Sequence, residues 1–169
     1  MSGTEPTTKS GDMALEDRAL IVCDVDEVAL EFINPFKAFL NSNGFELLPR
    51  SFQLTGNVVS LDNGKEAGRE LVKEFLDGFF AAQQQWQTPT SGVETALSNL
   101  SQTADIVFLT AMPPRHFDVR RALLDQHDLQ YPLLATTEAK GPLIDTLHDG
   151  RDHPVIFIDD LAHNLHSAM

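Results

Sequence analysis

Two aspartates, Asp24 and Asp26, directly follow a short apolar run at residues 19–23. Such a run, ending abruptly in acidic residues, is typical of a β-strand that is buried on both faces. Side chains alternate along a strand, so a strand that continues through residue 26 directs both carboxylates to one side. Two carboxylates so placed repel each other unless a cation lies between them, and Mg²⁺ prefers oxygen ligands of this kind. On its own, an Asp-x-Asp sequence is equally well explained as a turn.

A second acidic pair, Asp159-Asp160, follows the apolar run at residues 154–158. The carboxyl ends of parallel strands meet at one edge of a sheet, and ligands bind at that edge. We therefore expect both acidic pairs to contribute to one site. The alternative is that Asp159 or Asp160 caps a helix starting near Leu161, which explains one aspartate better than two.

Two further residues have types that suit phosphate binding. Thr110 ends the apolar run at residues 105–109, where its hydroxyl and the N–H groups of the following turn can hold a phosphate oxygen. Lys140 stands in a polar segment just before a helical pattern. Taken singly, Thr110 is a turn residue and Lys140 is a solvated surface charge.

The elements that must position these residues form an alternating series. Helical spacing at residues 114–127 and 138–148 separates the apolar runs, and a short strand is plausible at residues 132–135. Strands that alternate with helices predict an α/β fold with a parallel sheet flanked by helices.

Residues 31–89 do not fit this alternation. They contain eight of the eleven phenylalanines and the only tryptophan, and the spacing of Phe32, Phe36 and Phe39 suits an amphipathic helix, as does that of residues 71, 75 and 79. We expect a small helical insertion after the first strand. Residues 1–17 are polar and predict a flexible leader, which leaves residues 18–30 and 90–169 for the α/β core.

Composition excludes several classes of partner. The formal net charge is −13 and the twelve basic residues are scattered, which argues against binding of a nucleic acid polymer. We also expect no membrane association, because no apolar run approaches 18 residues. The single cysteine, Cys23, suits packing in a buried strand, and together with the absence of a signal-peptide pattern it agrees with a cytoplasmic location. The oligomeric state is left open.

The order of these motifs resembles the haloacid dehalogenase (HAD) superfamily. That family has four motifs, matched here by residues 24–28 (DVDEV), residues 107–110 (VFLT), Lys140, and Asp159-Asp160 with Asn164. The resemblance covers the chain beyond its leader and implies a HAD-like Rossmannoid sheet. The insertion at residues 31–89 stands where that family places a C1-type helical cap.

The resemblance also implies roles. Asp24 would attack the substrate phosphorus to give an aspartyl-phosphate, and Asp26 would be the acid and base. Thr110, Ala111 and Lys140 would bind the transferring phosphoryl group. Mg²⁺ would be held by Asp24, the backbone carbonyl of Asp26, Asp159 and Asp160.

These roles predict a Mg²⁺-dependent phosphatase for a small phosphorylated metabolite, such as a nucleotide or a sugar phosphate; the inserted segment looks somewhat like that of 5′(3′)-deoxyribonucleotidases. A phosphomutase of the same fold and a non-catalytic phosphate-binding module are the alternatives. Asp26 argues against dehalogenation, because dehalogenases of the superfamily lack that second aspartate.

Three further expectations concern single features. Glu27 stands where the superfamily often has glycine, so it could narrow the site or add a charge near the metal. Arg115, Arg120 and Arg121 are interpreted mainly as helix surface, as are His163 and His166. The superfamily fold usually continues with a helix and an edge strand beyond the last motif, so we expect a minimal version of the fold or a shortened chain.

Overall fold

The computed structural model describes residues 13–169, which divide into two compact units. The sheet unit comprises the described residues up to Leu30 together with Pro89–Met169, and the inserted unit is Glu31–Thr88. The division falls within one residue of the boundaries that the sequence predicts. Most of the predicted leader, residues 1–12, lies outside the described residues.

The sheet unit is an α/β structure with a parallel sheet, as predicted. Its four strands are β1 (Ala19–Cys23), β4 (Ala104–Thr110), β5 (Leu133–Ala135) and β6 (Val155–Ile158). They are all parallel and lie in the order β5-β4-β1-β6. Its helices are α4 (Val93–Leu100), α5 (Phe117–Gln126), α6 (Lys140–His148) and α7 (Ala162–Ser167), with a 3₁₀ turn at Pro114–His116.

Burial on both faces explains the continuous apolar runs of β1 and β4, whereas β6 lies at the edge of the sheet and alternates between partly buried and exposed residues. All seven residues of β4 are buried, and successive residues of β1 pack into different clusters. Ile21 and Cys23 join side chains of α4 and α5, whereas Leu20 and Val22 join side chains of α6. Each fully buried Leu, Ile or Val contributes roughly 1.5–3 kcal/mol relative to an exposed one, so this core stabilises the sheet whose carboxyl edge carries the acidic pairs.

The inserted unit is held together by aromatic side chains. Its helices are α1 (Ile33–Ser42), α2 (Arg69–Ala81) and α3 (Gln83–Trp86). Phe36 and Phe79 meet edge to face with ring centroids 5.3 Å apart, and Phe39 meets Trp86 in the same way at 5.6 Å. The expectation of a purely helical insertion is incomplete, because β2 (Phe45–Leu47) and β3 (Val58–Ser60) form an antiparallel pair. Three-residue strands are too short to show an alternating pattern.

The amino end of the sheet is secured by a charged cluster. Arg18 places both Nε and Nη2 at 2.8 Å from Oδ1 of Asp105, and Oδ2 of Asp105 accepts the backbone N–H of Glu16 at 2.6 Å. Met13 and Leu15 pack against the core beside this cluster. The packed chain therefore begins by Met13, earlier than the predicted core boundary at residue 18, because apolar and charged groups tie residues 13–17 to the sheet.

Among residues 13–169, no helix is both long and apolar enough to cross a membrane.

Candidate active site

The two acidic pairs lie side by side because their strands are neighbours. β1 pairs with β6 in a register that sets Cys23 opposite Ile158, the last residue of each strand. The backbone N–H of Asp24 continues this pairing by donating to the Ile158 carbonyl at 2.8 Å. Asp24 and Asp159 are therefore the first residues after two paired strand ends and lie side by side at the carboxyl edge of the sheet.

Three carboxylates converge at this edge. Asp24, Asp159 and Asp160 each offer a carboxylate oxygen, and these oxygens lie within 4.8 Å of one another. The three differ in exposure, since Asp24 is buried and Asp160 is exposed. Oxygens at this spacing form a donor set suited to a hard cation.

Lys140 joins the acidic pairs. Its Nζ lies 2.8 Å from Oδ1 of Asp24 and 2.6 Å from Oδ2 of Asp159, and its side chain is only 2% exposed. The interpretation of Lys140 as a solvated surface charge is therefore wrong. Nζ also lies 5.7 Å from the centroid of the Phe157 ring, a distance suited to a cation–π contact.

A close helix contact helps to place Lys140. It is the first residue of α6, and a Cβ added to the next residue, Gly141, would lie 1.9 Å from the backbone oxygen of Ser167 at the end of α7. Only glycine permits so close an approach without a shift of the backbone. The start of α6 is thereby held against the helix that follows Asp159-Asp160.

Asp159 is itself held in place by α7. Its Oδ1 accepts the backbone N–H of Leu161 at 2.8 Å, and the side-chain amide of Asn164 donates to both of its oxygens at 3.0 Å. The capping interpretation is wrong, because the N-cap of α7 is Leu161 and no side chain caps it; the Asp159 carboxylate instead closes the turn before the helix and bonds Lys140. Asp160 contributes a carboxylate oxygen to the acidic cluster.

Burial changes the acidity of the cluster. Desolvation is the main cause that raises the pKa of Asp24 from 3.8 to about 7, partly offset by the Lys140 ammonium. The pKa of Asp160 is also raised, by desolvation and then by the negative charge of Asp159. Both carboxyl groups thus keep a proton to a higher pH than a fully solvated aspartate does.

Thr110 and Ala111 come from β4, the neighbour of β1 on its other side. Thr110 is fully buried, its Oγ1 accepts the Met112 N–H at 3.3 Å, and its carbonyl accepts the N–H of Thr136 at 3.0 Å. Ala111 is exposed in the turn. Thr136, which sequence reasoning missed, accepts the Glu138 N–H through its hydroxyl at 2.9 Å and thus shapes the loop that leads to Lys140.

Asp26 has a different partner from Asp24. Its Oδ1 lies 3.0 Å from Nη2 of Arg120, a residue of α5 that is 0% exposed. The interpretation of Arg120 as helix surface is therefore wrong, whereas Arg115 is exposed as expected. The sequence did contain a signal, because position 120 lies three residues from both Phe117 and Leu123, on the apolar face of the helix.

Glu27, next to Asp26, has a backbone φ of 60°. This left-handed conformation favours glycine, and a Glu there carries strain of about 1 kcal/mol or more. The strain gives a physical reason why glycine suits this position. The Glu27 side chain is exposed.

The chain matches no protein-family model, no curated protein and no solved structure.

Proposed function

We propose that the protein is a Mg²⁺-dependent phosphohydrolase of the HAD type that cleaves a small phosphomonoester through an aspartyl-phosphate on Asp24. The observation that carries this proposal is the position of Lys140, buried between Asp24 and Asp159. A purely structural lysine needs one carboxylate partner, whereas this one lies beside a larger acidic cluster.

The charges of the cluster favour a divalent cation. Asp24, Asp159 and Asp160 carry three negative charges when ionised, and Lys140 carries one positive charge, which leaves two negative charges. The donors are all carboxylate oxygens, which suit Mg²⁺ better than softer metals. A bound Mg²⁺ would neutralise charge and polarise a phosphoryl oxygen. A cation there would also favour the ionised form of Asp24.

In the proposed reaction, Asp24 is the nucleophile and Asp26 is the acid and base. A carboxylate oxygen of Asp24 attacks phosphorus, the bond from phosphorus to the ester oxygen breaks, and that oxygen takes a proton from Asp26. Asp26 then accepts a proton from water as the water oxygen attacks phosphorus. The bond between phosphorus and Asp24 breaks, which releases inorganic phosphate and restores both carboxyl groups.

Phosphoryl transfer needs positioning and charge neutralisation more than any other help from a protein. Lys140 supplies a positive charge that touches the attacking residue itself. We assign the remaining phosphoryl contacts to Thr110 and the backbone of Ala111, since Thr110 ends β4, the strand next to β1, and Ala111 follows it.

The inserted unit occupies the sequence position of a C1-type cap, and we propose that it selects the substrate. Nucleoside monophosphates and sugar phosphates are both within this proposal. The aromatic residues that hold the unit together, such as Phe36 and Phe79, are assigned to its own core.

The test is phosphate release from a broad panel of phosphomonoesters, with Mg²⁺ and with EDTA. We expect repeated turnover with Mg²⁺, none with EDTA, and none from Asp24→Asn purified in the same way. Failure of the unmodified protein to release phosphate from any ester would overturn the proposal. An isomerised product that requires a bisphosphate would indicate a mutase, and stabilisation by beryllofluoride without turnover would indicate a binding module.

A further inference from the structure

Arg120 is the largest fully buried side chain among the described residues. It lies on the inner face of α5, between Phe117 on one side and Leu123 and Leu124 on the other. Removing a guanidinium from water is costly unless the charge is paired, and an apolar residue of similar size would fill the space at lower cost. The presence of arginine at this position therefore calls for a reason other than packing.

Its ion pair with Asp26 supplies that reason. Nη2 of Arg120 reaches Oδ1 of Asp26 at 3.0 Å across 94 positions of sequence. The arginine side chain is 0% exposed and that of Asp26 is 20% exposed. The Asp26 carboxylate is thus bonded to a side chain in the protein interior and remains partly accessible to solvent.

The neighbouring Arg121 shows what a structural arginine does on the same helix. It donates to the carbonyls of Leu129 and Tyr131, each at 2.6 Å, and pairs with Asp125 one turn along. Those contacts brace the loop before β5 and involve no residue of the acidic cluster. Arg120, by contrast, bonds a residue two positions from Asp24.

Orientation decides how well a carboxyl group transfers a proton. A general acid must lie within hydrogen-bond distance of the oxygen that it protonates, and small misplacements lower the rate severely. Asp26 lies beyond the end of β1 and next to Glu27, whose backbone is strained. A bond from a fully buried arginine restricts the rotamers of such a side chain.

We propose that Arg120 is a positioning residue that holds the carboxyl group of Asp26 for proton transfer to the leaving oxygen. This inference rests on the proposed function. In the step concerned, the electron pair of the breaking bond goes to the ester oxygen, and the proton moves from Asp26 to that oxygen. Arg120 keeps its proton and charge throughout.

The test compares two esters that differ in their need for a proton. The leaving group of an aryl phosphate such as 4-nitrophenyl phosphate departs as a stable phenolate without protonation. The alkoxide of an alkyl phosphate is strongly basic and must be protonated as it leaves. For Arg120→Met we expect kcat to fall about 10²-fold on the alkyl ester but less than about threefold on the aryl ester, with KM little changed. A purely structural role would lower both rates by the same factor.

Three comparisons sharpen this test. Arg120→Lys keeps a cation and is expected to restore part of the alkyl rate. Asp26→Asn/Arg120→Met is expected to match Asp26→Asn within about twofold, because the arginine acts through Asp26. Arg121→Met, the matched control on the same helix, is expected to leave the ratio of the two rates unchanged.

The outcomes separate the inference from the function on which it rests. Loss of turnover on both esters by an equal factor in folded Arg120→Met overturns the inference alone. If Arg120→Met does not fold, Arg120→Lys carries the same comparison, and an unchanged ratio of rates in that variant overturns the inference. An unmodified protein that hydrolyses neither these esters nor any other overturns the proposed function and the inference with it.

Discussion

The two ends of the parallel sheet both carry buried charge, but they balance it differently. At the amino end, Asp105 receives two donors from Arg18 and one from the Glu16 backbone, so the one buried carboxylate has a counter-charge. The Glu16 carboxylate also lies 3.2 Å from Arg18, but its side chain is 72% exposed to solvent. At the carboxyl end, three carboxylates lie together, and the one ammonium among them, that of Lys140, contacts two of the three. The buried charge at the amino end is balanced within the protein, whereas the carboxyl end retains negative charge that a divalent cation would offset.

This difference indicates where stability and activity reside. A balanced ion pair at a strand start secures the chain, as Arg18 and Asp105 do for β1 and β4. An unbalanced cluster destabilises the fold unless a ligand binds, and proteins retain such clusters mainly at functional sites.

Removing the cation from each cluster gives the largest expected contrast. Lys140→Met leaves two buried carboxylates without their ammonium, so we expect a loss of about 3–5 kcal/mol in the free energy of unfolding in EDTA and of about 10³-fold in kcat/KM. Arg18→Met should lower the free energy of unfolding by about 1–3 kcal/mol and leave kcat of the folded fraction unchanged. Urea unfolding and phosphate release measure both. Equal loss of activity in the two variants would contradict the distinction.

The pH dependence of stability should come from the carboxyl end. In the apo protein, the folded state holds the proton of Asp24 up to about pH 7, whereas the unfolded chain releases it near 3.8. The contribution of Asp24 is therefore fully present below about pH 4 and is lost as the pH rises to about 7, with a slope of at most about 1.4 kcal/mol per pH unit. The raised pKa of Asp160 acts in the same direction.

Urea unfolding in EDTA at several pH values measures this dependence. Asp24→Asn should be flatter than the unmodified protein between pH 4 and 7, because the amide does not titrate. Asp105→Asn is the control at the amino end and should keep the slope. A wild-type slope that survives in Asp24→Asn would contradict the assignment.

Metal binding should stabilise the protein through the same cluster. At free Mg²⁺ a hundredfold above its dissociation constant, we expect about 2.7 kcal/mol of added stability, and less at acidic pH because protons compete for the carboxylates. Asp160→Asn should reduce the shift in Tm on adding Mg²⁺, and Asp105→Asn should leave it intact. A shift that is equally large in all three proteins would place the metal elsewhere.

The smallest contrast concerns two strained positions. Glu27, after β1, has φ of 60°, and Asp128, after α5, has φ of 57°. Aspartate tolerates the left-handed region better than glutamate does, so Glu27→Gly should stabilise the protein by up to about 1 kcal/mol and Asp128→Gly by less. Thermal unfolding of both variants measures the difference, and the reverse order would refute this account of strain.

Much of the sheet unit could be predicted from the sequence because β1 and β4 are buried on both faces. The runs at residues 19–23 and 106–109 are too apolar for an amphipathic strand, and each is followed by a polar residue, Asp24 or Thr110, at the edge of the sheet. The parallel arrangement followed from the helices between the runs. The antiparallel pair β2–β3 could not be predicted, because its pairing spans the loop between two short segments.

At the candidate site, identities were easier to predict than partners. Residue type and position in the sequence were enough to predict Asp24, Asp159 and Lys140 as site residues. Only the structure shows that the Lys140 ammonium contacts both carboxylates. The pairing of Arg120 with Asp26 was missed since a charged residue on an amphipathic helix is usually assigned to the solvent face. Long-range ion pairs depend on tertiary packing that no local pattern reports.

The most direct test of the central claim is to identify the phosphorylated residue. The protein is mixed with an excess of a phosphomonoester and Mg²⁺, quenched in acid within one turnover, digested and examined by mass spectrometry. We expect one added phosphoryl group on the peptide that contains Asp24, absent in EDTA and in Asp24→Asn. Hydrolysis that continues in Asp24→Asn, or a phosphoryl group found on another residue, would contradict the account.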